Sequence, residues 1–169
     1  MTKEQEAWLA LPARQRAELA VSSNRHMGAL FSHLMNAKLC NMSGSAYQCH
    51  PQCIYRDGIL ITDHWRTCGH WDIMIANNPK QTPRRGCQDS RSTGGDPYPS
   101  IEGGWTRVWD RGAWEKSGPW CSVILQVLEA LTTEADEFYR RQAEEKEAAR
   151  VAAAAKKAEE DAALLSAWS

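Results

Sequence analysis

The stretch CIYRDGILIT, residues 53–62, decides the fold class of this chain. Its two apolar runs flank Asp57-Gly58, and Asp-Gly in this setting is a strong hairpin signal, because both turn positions need a positive φ angle. A further apolar run, 70–76, follows a short turn at 66–69. We therefore predict an antiparallel meander of three strands, whose apolar face needs a cover.

Helices before the meander can supply that cover. Residues 2–39 carry apolar side chains at helical spacing, and Thr2 with Gln5 matches a capping box. Pro12 can open a second helix at its first turn. Ser22-Ser23-Asn24 can separate a third helix, with Asn24 as its cap. The predicted fold class is α+β, with N-terminal helices packed on a small antiparallel β-meander and a long C-terminal helix.

The region after the meander divides into a loop and a tryptophan-rich segment. Residues 77–104 contain five Gly and four Pro, which predicts a long loop, and loops of this length are usually either functional or disordered. Residues 105–109 and 113–116 flank a turn, Asp110-Arg111-Gly112, and predict a second small hairpin. By the strand period of two, Trp105 and Trp109 would share one face of it.

The sequence from residue 121 onward predicts helix. Apolar residues between 121 and 131 predict a buried start, formed by Val123, Ile124, Leu125, Val127, Leu128 and Leu131. Thr133 and Asp136 suggest a cap or a bend at this point. Residues 134–167 contain no Gly and no Pro, so we expect one helix about 50 Å long. We predict a globular domain over 1–131, and over 132–169 an extended helix that protrudes, folds back or meets another chain.

This helix carries a thin apolar stripe, which we call the seam. It consists of Ala148, Val151, Ala155, Ala158, Ala162 and Leu165. The alternating spacing of three and four is typical of a coiled-coil heptad, although alanines bury little area. With few i,i+4 ion pairs apparent in the sequence, we expect the seam to be a docking surface or a weak homo-oligomer contact.

Composition excludes several classes of protein. Net charge is −1 over 169 residues, which excludes a histone-like binder and an acidic mimic of DNA. Hydrophobic residues make up 43% and charged residues 24%, values typical of globular chains. No apolar stretch reaches the roughly 18 residues that span a bilayer, and the N-terminus does not resemble a secretory signal. We therefore expect the six cysteines to be reduced, in the cytoplasm, with no membrane partner.

Clustered cysteines and histidines indicate a metal. Cys49 and Cys53 have a spacing that lets both thiolates reach one ion, and Zn²⁺ prefers four nitrogen or sulfur ligands in a tetrahedron. In the predicted meander, Cys68 and its neighbours His64 and His70 converge on the same edge. We predict a structural Zn²⁺ bound by Cys49, Cys53, Cys68 and either His70 or His64.

Two catalytic alternatives remain open. A four-residue turn would pair Asp63 with Asp72 and place His64 and His70 beside them, which suits a metal-dependent hydrolase or nuclease. The pattern Asp63-His64 followed by Asn77 or Asn78 resembles the HNH nucleases, but the helix that carries their last histidine is missing. The second alternative is a thiol nucleophile, Cys121, at a helix start as in papain-like enzymes, although no histidine follows position 70.

The functional prediction that we favour is binding of a macromolecule. Basic residues of the loop and the tryptophan-rich segment are the candidate contacts: Arg84, Arg85, Arg91, Trp105, Trp109, Arg111 and Trp114. A protein partner is favoured over nucleic acid, because net charge is near zero. A narrower hypothesis is an inhibitor of a host system encoded by a phage or mobile element. An open metal site with carboxylate ligands would favour the enzyme instead.

Overall fold

The structure of this chain is a computed structural model. It describes residues 2–39, 53–63, 71–78, 105–116 and 118–168, and for Cys53 and Asp63 the backbone alone. These ranges contain four helices and one five-stranded antiparallel sheet, which confirms the α+β class.

Three short helices open the fold and one long helix closes it. They are α1 (Lys3–Leu9), α2 (Ala13–Ser22), α3 (Asn24–Asn36) and α4 (Trp120–Ala167). The predicted capping box is present, because the Thr2 hydroxyl accepts the Gln5 N–H at 3.2 Å and the Gln5 side chain accepts the Thr2 N–H at 2.8 Å. Pro12 is the N-cap of α2, one position before the first turn where we expected it.

The junction between α2 and α3 differs from the prediction in one respect. The N-cap of α3 is Ser23, whose hydroxyl accepts the N–H of His26 at 3.1 Å. Asn24, predicted as the cap, is instead the first residue of α3. Its side-chain oxygen accepts the backbone N–H of Trp71 at 3.1 Å and so joins the helix to the sheet.

The sheet is one continuous meander. Its strands, in both sequence and spatial order, are β1 (Cys53–Arg56), β2 (Ile59–Asp63), β3 (Trp71–Ala76), β4 (Trp105–Asp110) and β5 (Ala113–Trp114). Asp57 and Gly58 both have positive φ, 52° and 78°, which confirms the predicted two-residue turn. Arg111 and Gly112 repeat this geometry, with φ of 50° and 103°, in the second hairpin. The first strand of that hairpin, β4, pairs with β3 and so extends the meander to five strands, which the sequence did not predict.

A bulge on β4 changes which face its tryptophans occupy. Met74 pairs with Arg107 but Ile73 pairs with Trp109, so Val108 is an extra residue on β4. Trp105 packs with Leu60 and Met74 on one face. The indole N–H of Trp109 donates to the carbonyl of Val21 at 2.9 Å on the other face, toward the helices. The prediction that Trp105 and Trp109 share a face is therefore wrong, because the extra residue at the bulge shifts the alternation of side chains between the two faces of β4 by one position.

The helices lie close against the sheet at a glycine. A Cβ added to Gly28 of α3 would meet the ring of Trp71 at 2.8 Å, so only a residue without a side chain allows this approach. Phe31, one helical turn later, lies 6.3 Å from the Trp71 ring between centroids. The buried core also includes Leu30 and Leu34, two of the helically spaced apolar residues that we predicted to cover the sheet.

The long helix is uninterrupted at the position where we expected a cap or bend. The hydroxyls of Thr132 and Thr133 donate to carbonyls four residues earlier, at 2.6 Å and 3.0 Å, and so stay within the helix. Ile124, Val127, Leu128 and Leu131 are buried as predicted. Val123 is 47% exposed, contrary to the prediction, and Leu125 is half-buried.

Two compact units divide the chain within α4, one comprising Met1–Ala135 and the other Asp136–Ser169. In the first unit, Arg56 of β1 forms a two-point ion pair with Glu134, one nitrogen–oxygen distance being 2.9 Å. Arg14 of α2 forms a second ion pair, in which one guanidinium nitrogen lies 3.5 Å from a carboxylate oxygen of Glu129. These contacts attach the start of α4 to the helices and to the sheet.

Gly28→Ala tests the packing of α3 on the sheet. Alanine is normally favoured over glycine inside a helix by up to about 1 kcal/mol. We expect the opposite here, a loss of about 1–3 kcal/mol in the free energy of unfolding, because the methyl group overlaps the Trp71 ring.

The control is the same substitution in a Trp71→Leu background, where the ring is absent and Gly28→Ala should become neutral or stabilising. Urea unfolding of the four proteins measures the sign in each background. A stabilising effect of Gly28→Ala in the wild-type background would contradict the close approach.

Candidate functional site

The clearest candidate for a functional surface is the second unit. Every residue from 143 to 168 is exposed. The large apolar side chains there are Val151, Leu164, Leu165 and Trp168, with exposed fractions of 57%, 61%, 72% and 90%. Three of these four residues lie within 164–168, and contiguous exposed apolar surface of this kind marks interaction sites.

Helical geometry arranges these residues around the seam. Val151 and Leu165 belong to the seam, where they occupy d positions of the heptad, and the alanines at 148, 155 and 162 occupy a positions. Leu164 and Trp168 lie beside its C-terminal end. The seam therefore combines two large side chains with small ones that leave room for a partner to approach.

Ion pairs within the helix stabilise it without a partner. At i,i+4 spacing, Arg140 pairs with Glu144 at 2.8 Å and Lys156 with Glu160 at 3.8 Å. At i,i+3 spacing, Arg150 pairs with Glu147 at 2.7 Å. Our expectation of few such pairs was wrong, and the charged faces of the helix are better supported than the sequence suggested.

The predicted contacts in the tryptophan-rich segment separate into two groups. Trp105 and Trp109 are 2% and 0% exposed, so as core residues they are inaccessible to a partner in this structure. Arg111 is exposed and Trp114 half-buried, so both remain accessible. Arg84, Arg85 and Arg91, like most of the predicted loop, lie outside the described residues.

Most of the predicted zinc ligands also lie outside the described residues, namely Cys49, Cys68, His64 and His70. The backbone of Cys53 begins β1, and its Cα pairs with that of Thr62 near the end of β2. Among the described residues, no group of three or more potential ligands is close enough to hold a metal ion. The zinc site thus stays a prediction.

The register of β2 and β3 corrects the hydrolase hypothesis. Asp63 pairs with Trp71, and Asp72 pairs with Thr62, so the predicted pairing of Asp63 with Asp72 does not occur. The register of the described residues is shifted by one residue from the register that a four-residue turn requires. The other catalytic alternative, Cys121, is half-buried in the first turn of α4, where its N–H donates to the carbonyl of Gly118 at 3.2 Å.

A polar row across the sheet was missed by the sequence reasoning. Thr62, Asp72 and Asp110 are directly opposite one another on β2, β3 and β4, and Asp72 is 2% exposed. The Thr62 hydroxyl is buried and has no hydrogen-bond partner within the described part of the chain. Arg111 donates to Asp110 at 3.1 Å. Only the pairing of β3 with β4 could have revealed this row.

The pKa values of the two facing carboxyl groups are shifted in opposite directions. Burial, then the hydrogen bond to Asp110 and its like charge, raise the pKa of Asp72 to about 7, while Arg107 and Arg111 oppose the rise. Burial acts to raise the pKa of Asp110 as well, but hydrogen bonds from Asp72 and Arg111 lower it below its ordinary value. Asp72 is therefore the protonated partner of the pair in acid.

Comparisons with known proteins identify no relative. No family model matches the chain, and no curated protein or solved structure matches it significantly. None of the described helices is both long and apolar enough to cross a membrane. The function must therefore be argued from the chain's own residues.

Asp72→Asn tests the raised pKa of Asp72. The folded-state pKa of Asp72, about 7, lies above its unfolded value near 3.8, so unfolding releases a proton between these values and stability falls as the pH rises through them. Asparagine can still donate to Asp110 but cannot ionise. As the pH rises between these two pKa values, the free energy of unfolding should decrease in both proteins. We expect the decrease to be about 3 kcal/mol smaller in the variant than in the wild type.

Urea unfolding at about pH 4, 5.5 and 8 measures this difference. Asp161→Asn, at an exposed carboxylate, is the matched control and should follow the wild type. Parallel pH profiles for the wild type and Asp72→Asn would contradict the raised pKa of Asp72.

Proposed function

We propose that this chain is a binding protein whose C-terminal helix docks a protein partner along the seam. The observation that carries the proposal is the exposure of Val151 and Leu165, two large apolar residues on one helical stripe whose other members are alanines. Burial of such side chains stabilises association by roughly 1.5–3 kcal/mol each, if it is complete.

The charge of the helix favours protein over nucleic acid. Between 136 and 168, acidic side chains outnumber basic ones by eight to six. A nucleic-acid surface needs an excess of Lys and Arg to neutralise phosphates, because counterion release supplies most of the affinity. The exposed Arg111 and the predicted contacts Arg84, Arg85 and Arg91 would add a basic region elsewhere on the chain.

The proposal has a narrower form and an alternative. In the narrower form the protein acts in the cytoplasm as an inhibitor of a host system, encoded by a phage or mobile element. The alternative occupant of the seam is a second copy of the chain. Four of its six residues are alanine, which favours close approach but gives a weak self-contact.

Val151→Asp combined with Leu165→Asp tests the seam. Charge on the seam should weaken partner binding by more than about tenfold, because an unpaired carboxylate would be buried in the interface. Ala153→Asp combined with Ala167→Asp is the control, since these positions lie on the opposite face of the same turns. Both double variants should fold, because exposed substitutions usually change stability by only about 0.5 kcal/mol.

The measurement is affinity capture from extract of the source cells, with quantitative mass spectrometry, followed by titration of the purified candidate. The same partner should be retained by the wild type and the control and lost by the seam variant. Retention by all three, or by a chain that ends at Arg141, would contradict the proposal.

We also propose that one Zn²⁺ stabilises the meander, bound by Cys49, Cys53, Cys68 and one of His64 and His70. The strand pairing supports this assignment, because the start of β1, the end of β2 and the start of β3 lie at the same end of the sheet. A closed set of Cys and His ligands of this kind is typical of structural zinc.

Metal analysis of the purified protein should give about one zinc per chain. Cys49→Ser with Cys53→Ser should remove the metal and lower the melting temperature, because the free energy of zinc binding adds to the free energy of folding. Cys87→Ser with Cys121→Ser should retain it. Zinc-free wild-type protein with an unchanged melting temperature would contradict the assignment.

A further inference from the structure

The positions that flank the seam carry charge of one sign. In the heptad defined by the seam, the e and g positions between 145 and 168 include four acidic residues and no basic one. We call these four the acidic flank: Glu145, Glu147, Glu159 and Asp161. The basic residues of this stretch, Lys146, Arg150, Lys156 and Lys157, all lie at positions that face away from the seam.

Three carboxylates of the acidic flank are available for a partner. Glu147 pairs with Arg150 of its own helix. Glu145, Glu159 and Asp161 have no ion pair within the described residues, and all three are exposed. Carboxylates beside an apolar stripe set partner choice in paired helices, where e and g positions form the interhelical ion pairs.

We infer that the partner contributes a basic amphipathic helix, with large apolar residues on its inner stripe and Lys or Arg on both sides of it. This inference rests on the proposed function. Large partner side chains fit the small residues at 148, 155, 158 and 162, because facing positions of two helices pack best when a large side chain meets a small one. Basic residues at the partner's e and g positions then meet the acidic flank.

A second copy of this chain fits the same surface less well. In a parallel pair, Glu147, Glu159 and Asp161 would each face a small residue of the other copy, at 152, 154 or 166. The one interhelical ion pair of the acidic flank would join Glu145 to Arg140 of the other copy, and Arg140 already pairs with Glu144 of its own helix at 2.8 Å. Alanine would meet alanine in four of the six seam layers. Charge and size therefore both favour a different chain as the occupant.

The test uses the full-length protein and two designed four-heptad peptides. Both peptides have Leu at a and d, one with Lys and the other with Glu at e and g. The Lys peptide should bind, more weakly as salt increases, and the Glu peptide should bind at least about tenfold less tightly. Titration followed by fluorescence of a dye on the peptide measures each dissociation constant.

Two matched variants locate the charge effect. Neutralising Glu145→Gln, Glu159→Gln and Asp161→Asn together should weaken binding of the Lys peptide about tenfold. Ala149→Lys, Ala153→Lys and Ala163→Lys change the net charge by the same amount on the opposite face, and should change affinity less than about threefold. Circular dichroism confirms that both variants remain helical.

The outcomes distinguish this inference from the proposed function. If Val151→Asp with Leu165→Asp abolishes binding but the two peptides bind equally, the seam is the docking surface and the inference about basic charge is wrong. If neither peptide binds, the inference is wrong as well. A seam-dependent dimer in sedimentation that the Lys peptide fails to displace would identify a second copy as the occupant.

Discussion

The junction between α2 and α3 is the constraint on which the first unit depends. The carbonyl of Val21 accepts the indole N–H of Trp109, and the side chain of Asn24 accepts the backbone N–H of Trp71. A Cβ on Gly112 would come within 3.0 Å of the backbone at Ser23, so the turn of the second hairpin also lies against this junction. Three residues of this junction, Val21, Ser23 and Asn24, thus contact β4, the turn after β4 and β3. Because the carbonyl of Val21 lies at the end of a helix, it is a ready acceptor for a side chain.

The bulge at Val108 makes this arrangement compatible with a filled core on both faces of the sheet. Without the extra residue, Trp105 and Trp109 would lie on one face and leave the other with less apolar surface. With it, Trp109 packs toward the helices, and Trp105 joins Leu60 and Met74 opposite. The same pairing brings Asp110 opposite Asp72. The carboxyl pair is therefore a consequence of the strand register, and its like charge is moderated by the retained proton and by Arg107 and Arg111.

Local signals in the sequence predicted much of this fold, and long-range pairing accounts for what they missed. The capping box at Thr2 and the turn at Asp57-Gly58 depend on neighbouring residues, and both are present as expected. The continuity of the helix over 134–167 followed from the absence of Gly and Pro, whereas the cap or bend expected at Thr133 is absent from α4. The addition of β4 to β3, the bulge and the row at Asp72 depend on contacts about 30 residues apart, for which one sequence contains no periodic signal. The exposed seam was predictable because it lies on a single helix, whereas the burial of Trp105 and Trp109 was not.

A buried core forms the first unit, whereas the second unit presents an exposed helix surface. We propose that one stripe of this surface, the seam, contacts a protein partner and that the opposite face does not. The most direct measurement is photo-crosslinking in the source cells from a reactive amino acid placed at Val151 and, separately, at Ala153. These residues point in nearly opposite directions from the helix axis. We predict one discrete cross-linked product from Val151, with the partner's peptide mapping to a basic amphipathic helix, and none from Ala153. Equal products from both positions, or no product from Val151, would contradict the account.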